Sequence, residues 1–527
     1  MPTSRNVRTL AILTGSLVLA VTLAGIMLNN IRSNDGQLVF SLDDPYIHLT
    51  MARNIVQNQT WGINPGEFVS TSSSPLFTIT LAGLMSIFGP IEALAWALAI
   101  AGGLLATILI SWRADMSGLG SGWIIVTGLY TVFVIGLAEL SVSGMEHTLH
   151  MCAVLAIAAA AERTLSRGSQ NWRESWPLLL FVLVGAGLRY ETLFLLPPLV
   201  LILWFTRHRA LAVAVSIVGL IPAVALGIFQ IAHGSTFLPN TILVKAFDPQ
   251  QSGLIGYVYR FLQQISSSRW IVIVIGAGAA VWIGVRHWNE KTAARIVTPA
   301  IAAFAVLAHM TFSIDYPRYV GYLIALGAWG LIPWVHDWTQ YVWKEASGLP
   351  RRVLTAALIV MALLLPYGDQ IKNWSNLPIL GRDIYLQQIQ MARFVSKYYP
   401  GRAVALNDIG AVAWAGNCRV LDLWGLASDS VAHWRSTKTY NSKHMKDIAA
   451  HYQAPIAIIY PSWFVRYGKV PEDWGLAGYW QINHFLKTNV GGPVIFFFAT
   501  NEAEEQPLLR NLQHFEPSLP PDAQAGY

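Results

Sequence analysis

Between Leu10 and Leu365 the chain is a succession of apolar runs, many of them near the length of one bilayer crossing, joined by short polar loops. A membrane-spanning helix needs roughly 17 to 25 mostly apolar residues, since its backbone must satisfy its own hydrogen bonds across the hydrocarbon. The candidate spans are Leu10–Leu28, Ala93–Ile110, Trp123–Ala138, Leu149–Ala161, Trp176–Leu188, Leu193–Phe205, Ala210–Ile231, Trp270–Val285, Ile296–Phe312, Val320–Trp334 and Val353–Leu365. Composition agrees. Charged residues make up 12% of the 527 and hydrophobic ones 54%, whereas soluble domains carry about 25% charged residues. The net charge of +6 sits in short basic clusters between the apolar runs. Such clusters set membrane orientation and do not indicate nucleic-acid binding. Cys152 lies in an apolar run and Cys418 in the polar C-terminal third, so neither a disulfide nor a metal site is indicated.

The first run follows Arg5 and Arg8 as in a signal peptide, but it is long and leads into Asn29-Asn30-Ile31-Arg32 with no small-residue cleavage pattern. It reads as a retained span. With a cytoplasmic N-terminus, the inner loops carry Arg113; Arg163, Arg167 and Arg173; Arg207 and Arg209; Arg286, Lys291 and Arg295; and Lys344, Arg351 and Arg352. The opposite loops carry Asp43, Asp44, Glu146, Glu191, Asp248 and Asp315, so alternate loops obey the positive-inside rule. This holds only if Pro75–Gly89 does not cross the membrane, and its length is that of an interfacial or re-entrant segment. The expectation is a polytopic α-helical protein of about 11 spans over residues 1–366, with a first extracytoplasmic loop at 29–92. Residues 367–527 read as an extracytoplasmic α/β domain. Its helix is Ile384–Tyr398, its strands are Ala403–Leu406, Arg419–Leu423, Ile456–Tyr460 and Val494–Phe498, and a mobile tail follows Glu502.

The first outer loop carries the most chemistry. Asp43-Asp44-Pro45 introduces Tyr46–Asn58, a predicted surface helix with Thr50, Arg53, Asn54 and Gln57 on one face and Leu49, Ala52, Ile55 and Val56 on the other. Asp44 fits the N-cap with Pro45 at the first helical position. One cap needs one carboxylate, which leaves Asp43 unassigned. Adjacent acids can supply a general base, a cation site, or one of each. A turn at Asn64-Pro65-Gly66-Glu67 precedes Ser70–Ser74, where Ser74 before Pro75 is a natural helix start. Glu146 after Ser143-Gly144 fits helix capping. Although His147 and His150 lie beside it, no fourth ligand stands at zinc spacing.

Asp43-Asp44-Pro-Tyr-Ile-His48-Leu-Thr-Met-Ala-Arg53-Asn54, the Asn64–Glu67 turn and Ser74-Pro75-Leu76 resemble the first outer loop of GT-C fold glycosyltransferases. The nearest branch contains the mycobacterial terminal arabinofuranosyltransferases. Further echoes follow in order: Ser143–Glu146, Arg189-Tyr190-Glu191, Leu238–Thr241 with Lys245, Arg318-Tyr319, Asn407–Gly410 and Leu421–Leu426. The chain departs from its relatives at His48 and at Tyr190-Glu191. The resemblance implies an inverting transfer of one sugar, with arabinofuranose the first guess, from a polyprenyl-phosphate donor to an extracytoplasmic glycan or secreted protein such as a pilin. It implies a bacterial inner-membrane enzyme that needs no certain cofactor, with a divalent cation at Asp43 and Asp44 left open. Asp43 or Asp44 is then the base, and Lys245, Arg318 and Arg189 are candidates for the donor phosphate. The alternative for Arg189 and Arg318 is pairing with Glu191 and Asp315, or snorkelling. Substrate contacts are expected from His48, Arg53, Ser74, Glu146, Tyr190, Glu191, Asn240, Tyr319 and Asp408.

A transporter or lipid flippase is the competing class, but transport paths place ionisable groups near the bilayer midplane, and here they gather at outer helix ends. A scaffold would leave the acidic pair without a task. Single cysteines at Ile91 and Asp115, in a chain without Cys152 and Cys418, test the orientation. Position 91 is expected to label from outside with an impermeant thiol reagent, and outside labelling at 115 would overturn the topology.

Overall fold

The structure, a computed structural model, describes residues 5–168, 172–246, 290–313, 317–345, 379–483 and 490–527, with isolated positions at 256, 258, 278 and 376. Two compact units emerge. The first comprises Met1–Gly25, Trp96–Ala225 and Gln251–Ser375, and the second Ile26–Ala95, Leu226–Gln250 and Asn376–Tyr527. The second unit cuts across the sequence boundary at residue 366, because the first outer loop packs with the C-terminal domain.

Five helices among the described residues are long and apolar enough to cross a membrane: Arg5–Ser33, Ala93–Met116, His147–Arg167, Arg209–Ala232 and Ala293–Phe312. Leu10, Leu17, Val21, Leu105, Ile217 and Leu220 on these helices are exposed, as lipid-facing side chains must be. The expected runs Trp176–Leu188 and Val320–Trp334 fall inside the helices Trp172–Leu188 and Pro317–Glu345. Leu193–Phe205 divides into a 3-10 turn, Tyr190–Leu195, and a helix, Leu196–Phe205. The expected span Trp123–Ala138 is interrupted: one helix ends at Phe133 and the next begins at Leu137, with Gly136 at φ +74° between them. Trp270–Val285 and Val353–Leu365 lie outside the described residues, so the structure does not establish a count of 11.

In the first unit the helix His147–Arg167 packs against Trp172–Leu188, Glu290–Phe312 and Pro317–Glu345. Small residues permit close approach elsewhere in that unit. A Cβ on Gly15 would meet the Gly128 backbone at 2.8 Å, inside contact distance.

The second unit is built on a six-stranded sheet of order β2-β1-β3-β5-β4-β6. Its strands are β1 (Ala403–Leu406), β2 (Arg419–Asp422), β3 (Ile456–Ile459), β4 (Gly475–Ile482), β5 (Val494–Ala499) and β6 (Ala523–Gly526). Strands β2, β1 and β3 run parallel, whereas β5, β4 and β6 are added antiparallel. Alternation along β1 sends Val404 and Leu406 to one core and Ala403 and Ala405 to the other. The Val404 core also takes in Ile47, Met51, Ile63 and Val69, so the first outer loop and the sheet share one apolar interior.

This shared core changes two expectations and gives the Asn64–Glu67 turn its partners. The helix Asp44–Asn58 is not a two-faced surface helix: Thr50 and Asn54 are buried while Val56 is exposed. Asn54 instead donates to the Gly62 carbonyl at 2.9 Å. The Asn64–Glu67 turn rivets the loop to the sheet edge. Asn64 exchanges two hydrogen bonds with the Val420 backbone, at 2.9 and 2.8 Å, and so stands in for a missing strand beside β2. Glu67 reinforces it through Arg419 at 2.5 Å. The tail after Glu502 is folded. It forms the helix Glu502–Phe515, the 3-10 turn Glu516–Ser518 and strand β6. Its acids stand in the first helical turn, and Leu508, Leu512 and Phe515 form one buried stripe against the sheet. The helix Pro75–Phe88 has 14 residues, about 21 Å at 1.5 Å per residue, which is short of the ~30 Å hydrocarbon core.

Candidate active site

The acidic pair separates into two roles at the start of the helix Asp44–Asn58. Asp43 is 5% exposed and Asp44 is half-buried. The cap position falls on Asp43, not Asp44, and its side chain makes no capping bond to its own helix. It reaches instead to the helix Gly410–Ala415, where it accepts the backbone N–H of Gly410 and, at 2.8 Å, that of Ala411. The approach requires glycine at 410, because a Cβ there would collide with the Asp43 carbonyl oxygen and stand 2.7 Å from its carboxylate. Ten residues along, Arg53 closes the other end of the same short helix. It donates to the carbonyls of Trp414 at 2.7 Å and Ala413 at 3.0 Å and stacks 4.7 Å from the Trp414 ring. The N–H and C=O groups that a helix leaves unpaired at its two ends are thus met by opposite charges from one neighbour.

Asp408 completes the cluster. It follows β1, is hydrogen-bonded to Asp43, and accepts from Gln388 Nε2 at 2.8 Å. Gln388 also donates to Tyr460 Oη at 2.9 Å, and that hydroxyl donates to Gln387 Oε1 at 2.6 Å. Consecutive glutamines both turn inward because Tyr385–Ile389 is a π-helical turn, wider than an α-helix. Burial and the neighbouring Asp43 charge push the Asp408 carboxyl well above the usual carboxylate range. Burial likewise raises Asp43 to about 6 against the opposing effect of the Ala411 and Gly410 N–H groups. Two carboxyls in contact cannot both ionise readily, so they share a proton that resides mainly on Asp408.

His48 lies inside this unit, with Nδ1 3.0 Å from Thr78 Oγ1, which is in turn 3.1 Å from Ser72 Oγ. Ser74 occupies the cap position of the helix Pro75–Phe88 without a side-chain capping bond; Ser72 Oγ accepts its N–H at 3.1 Å. Asn240 is buried, donates to Asp429 at 2.6 Å, and keeps its side-chain oxygen without a hydrogen bond among the described residues. Lys245 falls in the last turn of the helix Asn240–Ala246, and its side chain lies outside the described residues. Asp422 closes its own loop by accepting the N–H groups of Trp424 and Ala427, each at 2.6 Å.

The remaining expected residues belong to the first unit. Arg189 ends the helix Trp172–Leu188 and is fully engaged. It pairs bidentately with Glu191, at 3.1 and 2.5 Å, pairs with Glu146, and approaches His147 Nδ1 at 3.3 Å. Glu146 stands at the cap position of the helix His147–Arg167, yet makes no cap bond. The pairing alternative for Arg189 is therefore realised, with Glu146 as an added partner. The Tyr319 ring is approached by two cations, the Arg189 guanidinium at 4.7 Å and that of Arg318 at 5.1 Å. Tyr190 Oη is buried without a hydrogen-bond partner among the described residues.

For a cation, Asp43 is a poor ligand because its oxygens already accept from Gly410, Ala411 and Asp408. Among the described residues no three His, Cys, Asp or Glu groups converge into a metal set.

Residues 382–499 match a family described as "Domain of unknown function (DUF8728)". No curated protein matches the chain. Among solved structures, the chain is similar to the Archaeoglobus fulgidus oligosaccharyltransferase in the apo form, with a TM-score of 0.55 and 10% identity, covering 93% of this chain and 74% of that one. It is also similar to the archaeal oligosaccharyltransferase AglB from Archaeoglobus fulgidus in complex with an inhibitory peptide and a dolichol-phosphate. There the TM-score is 0.50 and the identity 9%, over 92% of this chain and 74% of that one. The fold is thus GT-C-like, resembling that of these oligosaccharyltransferases. These likenesses do not reach the arabinofuranosyltransferase branch.

The shared proton has a signed consequence. Asp43 and Asp408 hold protons more tightly folded than unfolded, so their contribution to stability is full below about pH 4; the Asp43 part is lost as pH rises through about 6, and the Asp408 part as pH rises well above the usual carboxylate range. Melting of the full chain in detergent is expected to show the Asp43 loss between pH 4 and 7. Asp408→Asn keeps a donor toward Asp43 with no proton to lose and should flatten that part of the profile. An unchanged slope in this variant would exclude the shared proton.

Proposed function

We propose that the chain is an inverting glycosyltransferase that moves one sugar from a polyprenyl-phosphate donor to an acceptor hydroxyl on the extracytoplasmic side of a bacterial inner membrane. The observation that carries this reading is the division of the acidic pair within a GT-C-like fold. Asp43 is consumed in holding the helix Gly410–Ala415, while Asp44, one residue on, stands half-buried. Asp44 is the base. It takes the proton of the acceptor hydroxyl, whose oxygen attacks the anomeric carbon as the bond from that carbon to the phosphate oxygen breaks. Polyprenyl phosphate leaves with the bonding pair.

The leaving phosphate calls for fixed positive charge. Arg318 and Lys245 are the cations assigned to that role, since the donors of Arg189 are directed to Glu146 and Glu191. Asn240 and Tyr190, each with a buried polar atom unbonded among the described residues, are the better substrate contacts. His48, Arg53, Ser74, Glu146, Glu191 and Asp408 serve as positioning residues. The dolichol-phosphate bound in the archaeal neighbour supports a lipid-linked donor. Arabinofuranose is the first sugar to test, and a cell-envelope glycan or a pilin-like secreted protein the first acceptor.

The test is transfer by the purified full chain from a panel of polyprenyl-phosphate sugars. Asp44→Asn should lower turnover by about 10² to 10⁴, the usual worth of a general base, with melting unchanged. Full activity in folded Asp44→Asn would remove the base, and no transfer from any donor in the panel to either acceptor class would remove the reaction.

A further inference from the structure

The first unit contains a cavity of about 1050 Å³ that the proposed transfer does not use. One face of the helix His147–Arg167 runs along it, presenting Ala156, Ala159 and Ala160 and then Arg163 and Arg167. Steps of three and four residues keep all five on a single helical face. The small alanines leave the volume open, and Leu109, Pro177 and Phe181 supply apolar walls. The lining is therefore graded: an apolar trough that ends at two exposed guanidinium groups.

The remaining charges of the cavity are largely paired. Arg113 meets Glu162 at 2.8 Å, Glu162 also accepts from Thr298 at 2.6 Å, and Arg295 pairs with Asp337. Arg167 has only a loose partner in Glu174, at 3.7 Å. Arg163 makes no ion pair among the described residues. Trp112, which lines the cavity, and Trp176 beside it are exposed, as side chains at the edge of the hydrocarbon commonly are.

We propose that this cavity binds an anionic phospholipid, with its phosphate at Arg163 and Arg167 and an acyl chain along Ala160, Ala159 and Ala156. The grading of the lining selects the occupant. Inorganic phosphate would leave the apolar trough unfilled, and a zwitterionic lipid would gain less from two cations. Basic clusters at the ends of membrane helices attract acidic lipids at about 1 kcal/mol, roughly fivefold in affinity, per guanidinium.

Native mass spectrometry of the full chain in neutral detergent tests this with phosphatidylglycerol, phosphatidylcholine of the same acyl chains, and water-soluble glycerol phosphate. Phosphatidylglycerol should bind more tightly than phosphatidylcholine. The R163Q/R167Q double variant, altered only at exposed side chains, should weaken phosphatidylglycerol by about 30-fold and leave phosphatidylcholine unchanged. Ala159→Phe should weaken phosphatidylglycerol with both arginines intact. Equal binding of the two lipids by the wild-type chain would overturn the proposal, as would full phosphatidylglycerol binding by R163Q/R167Q. Glycerol phosphate competing as well as the lipid would reduce the site to a phosphate site and overturn the lipid assignment.

Discussion

The helix Gly410–Ala415 has only 6 residues and cannot stand alone, since isolated helices shorter than ~12 residues are marginal in water. Its end groups are held by Asp43 and Arg53, which bracket most of the helix Asp44–Asn58. This clasp joins the first outer loop to the C-terminal sheet, and much else in that unit depends on it. Ile47 and Met51, on the clasping helix, complete the apolar core against Val404 and Leu406. Asn64 and Glu67 fix the following turn to β2. The backbone at Asp44 is thereby held in place, which is the preorganisation that the proposed general base requires.

The first unit places buried charge differently. Arg189, Glu146 and Glu191 form a compact ion cluster with His147 and Tyr319 around it. Removing one member of a buried pair typically costs about 3 to 5 kcal/mol, because the partner is left charged and unpaired. The cluster fixes the extended residue at which the helix Trp172–Leu188 gives way to the 3-10 turn Tyr190–Leu195. An arginine so engaged is a structural post, and the sequence position alone does not distinguish it from Arg318, whose ring contact is with the same Tyr319.

The apolar runs and their basic flanks make the long helices legible, and short apolar or β-branched runs make β1, β2, β3 and β5 legible. Strand β4 was missed because Gly475-Leu-Ala-Gly-Tyr-Trp-Gln-Ile lacks β-branched residues until its end. The polar composition of the tail hides its helix, although Leu508, Leu512 and Phe515 at helical spacing carry the signal. Several structural roles of the motif residues are not legible in the sequence. Asp43 looked like half of a reactive pair, and no local pattern shows that its partners are backbone groups 367 and 368 residues away. Gly410 was the available clue, since a glycine after Asn407-Asp408-Ile409 marks a close backbone approach. The inward pair Gln387 and Gln388 depends on a π-turn that ordinary helical periodicity does not show.

Amide hydrogen exchange on the peptide spanning residues 405–416 reads directly whether Asp43 and Asp44 have different tasks. In the full chain in detergent, the Gly410 and Ala411 amides should be protected in the wild type and in Asp44→Asn, and should exchange markedly faster in Asp43→Asn. Equal protection in all three would show that Asp43 does not hold the helix, and would return both acids to the same unassigned status.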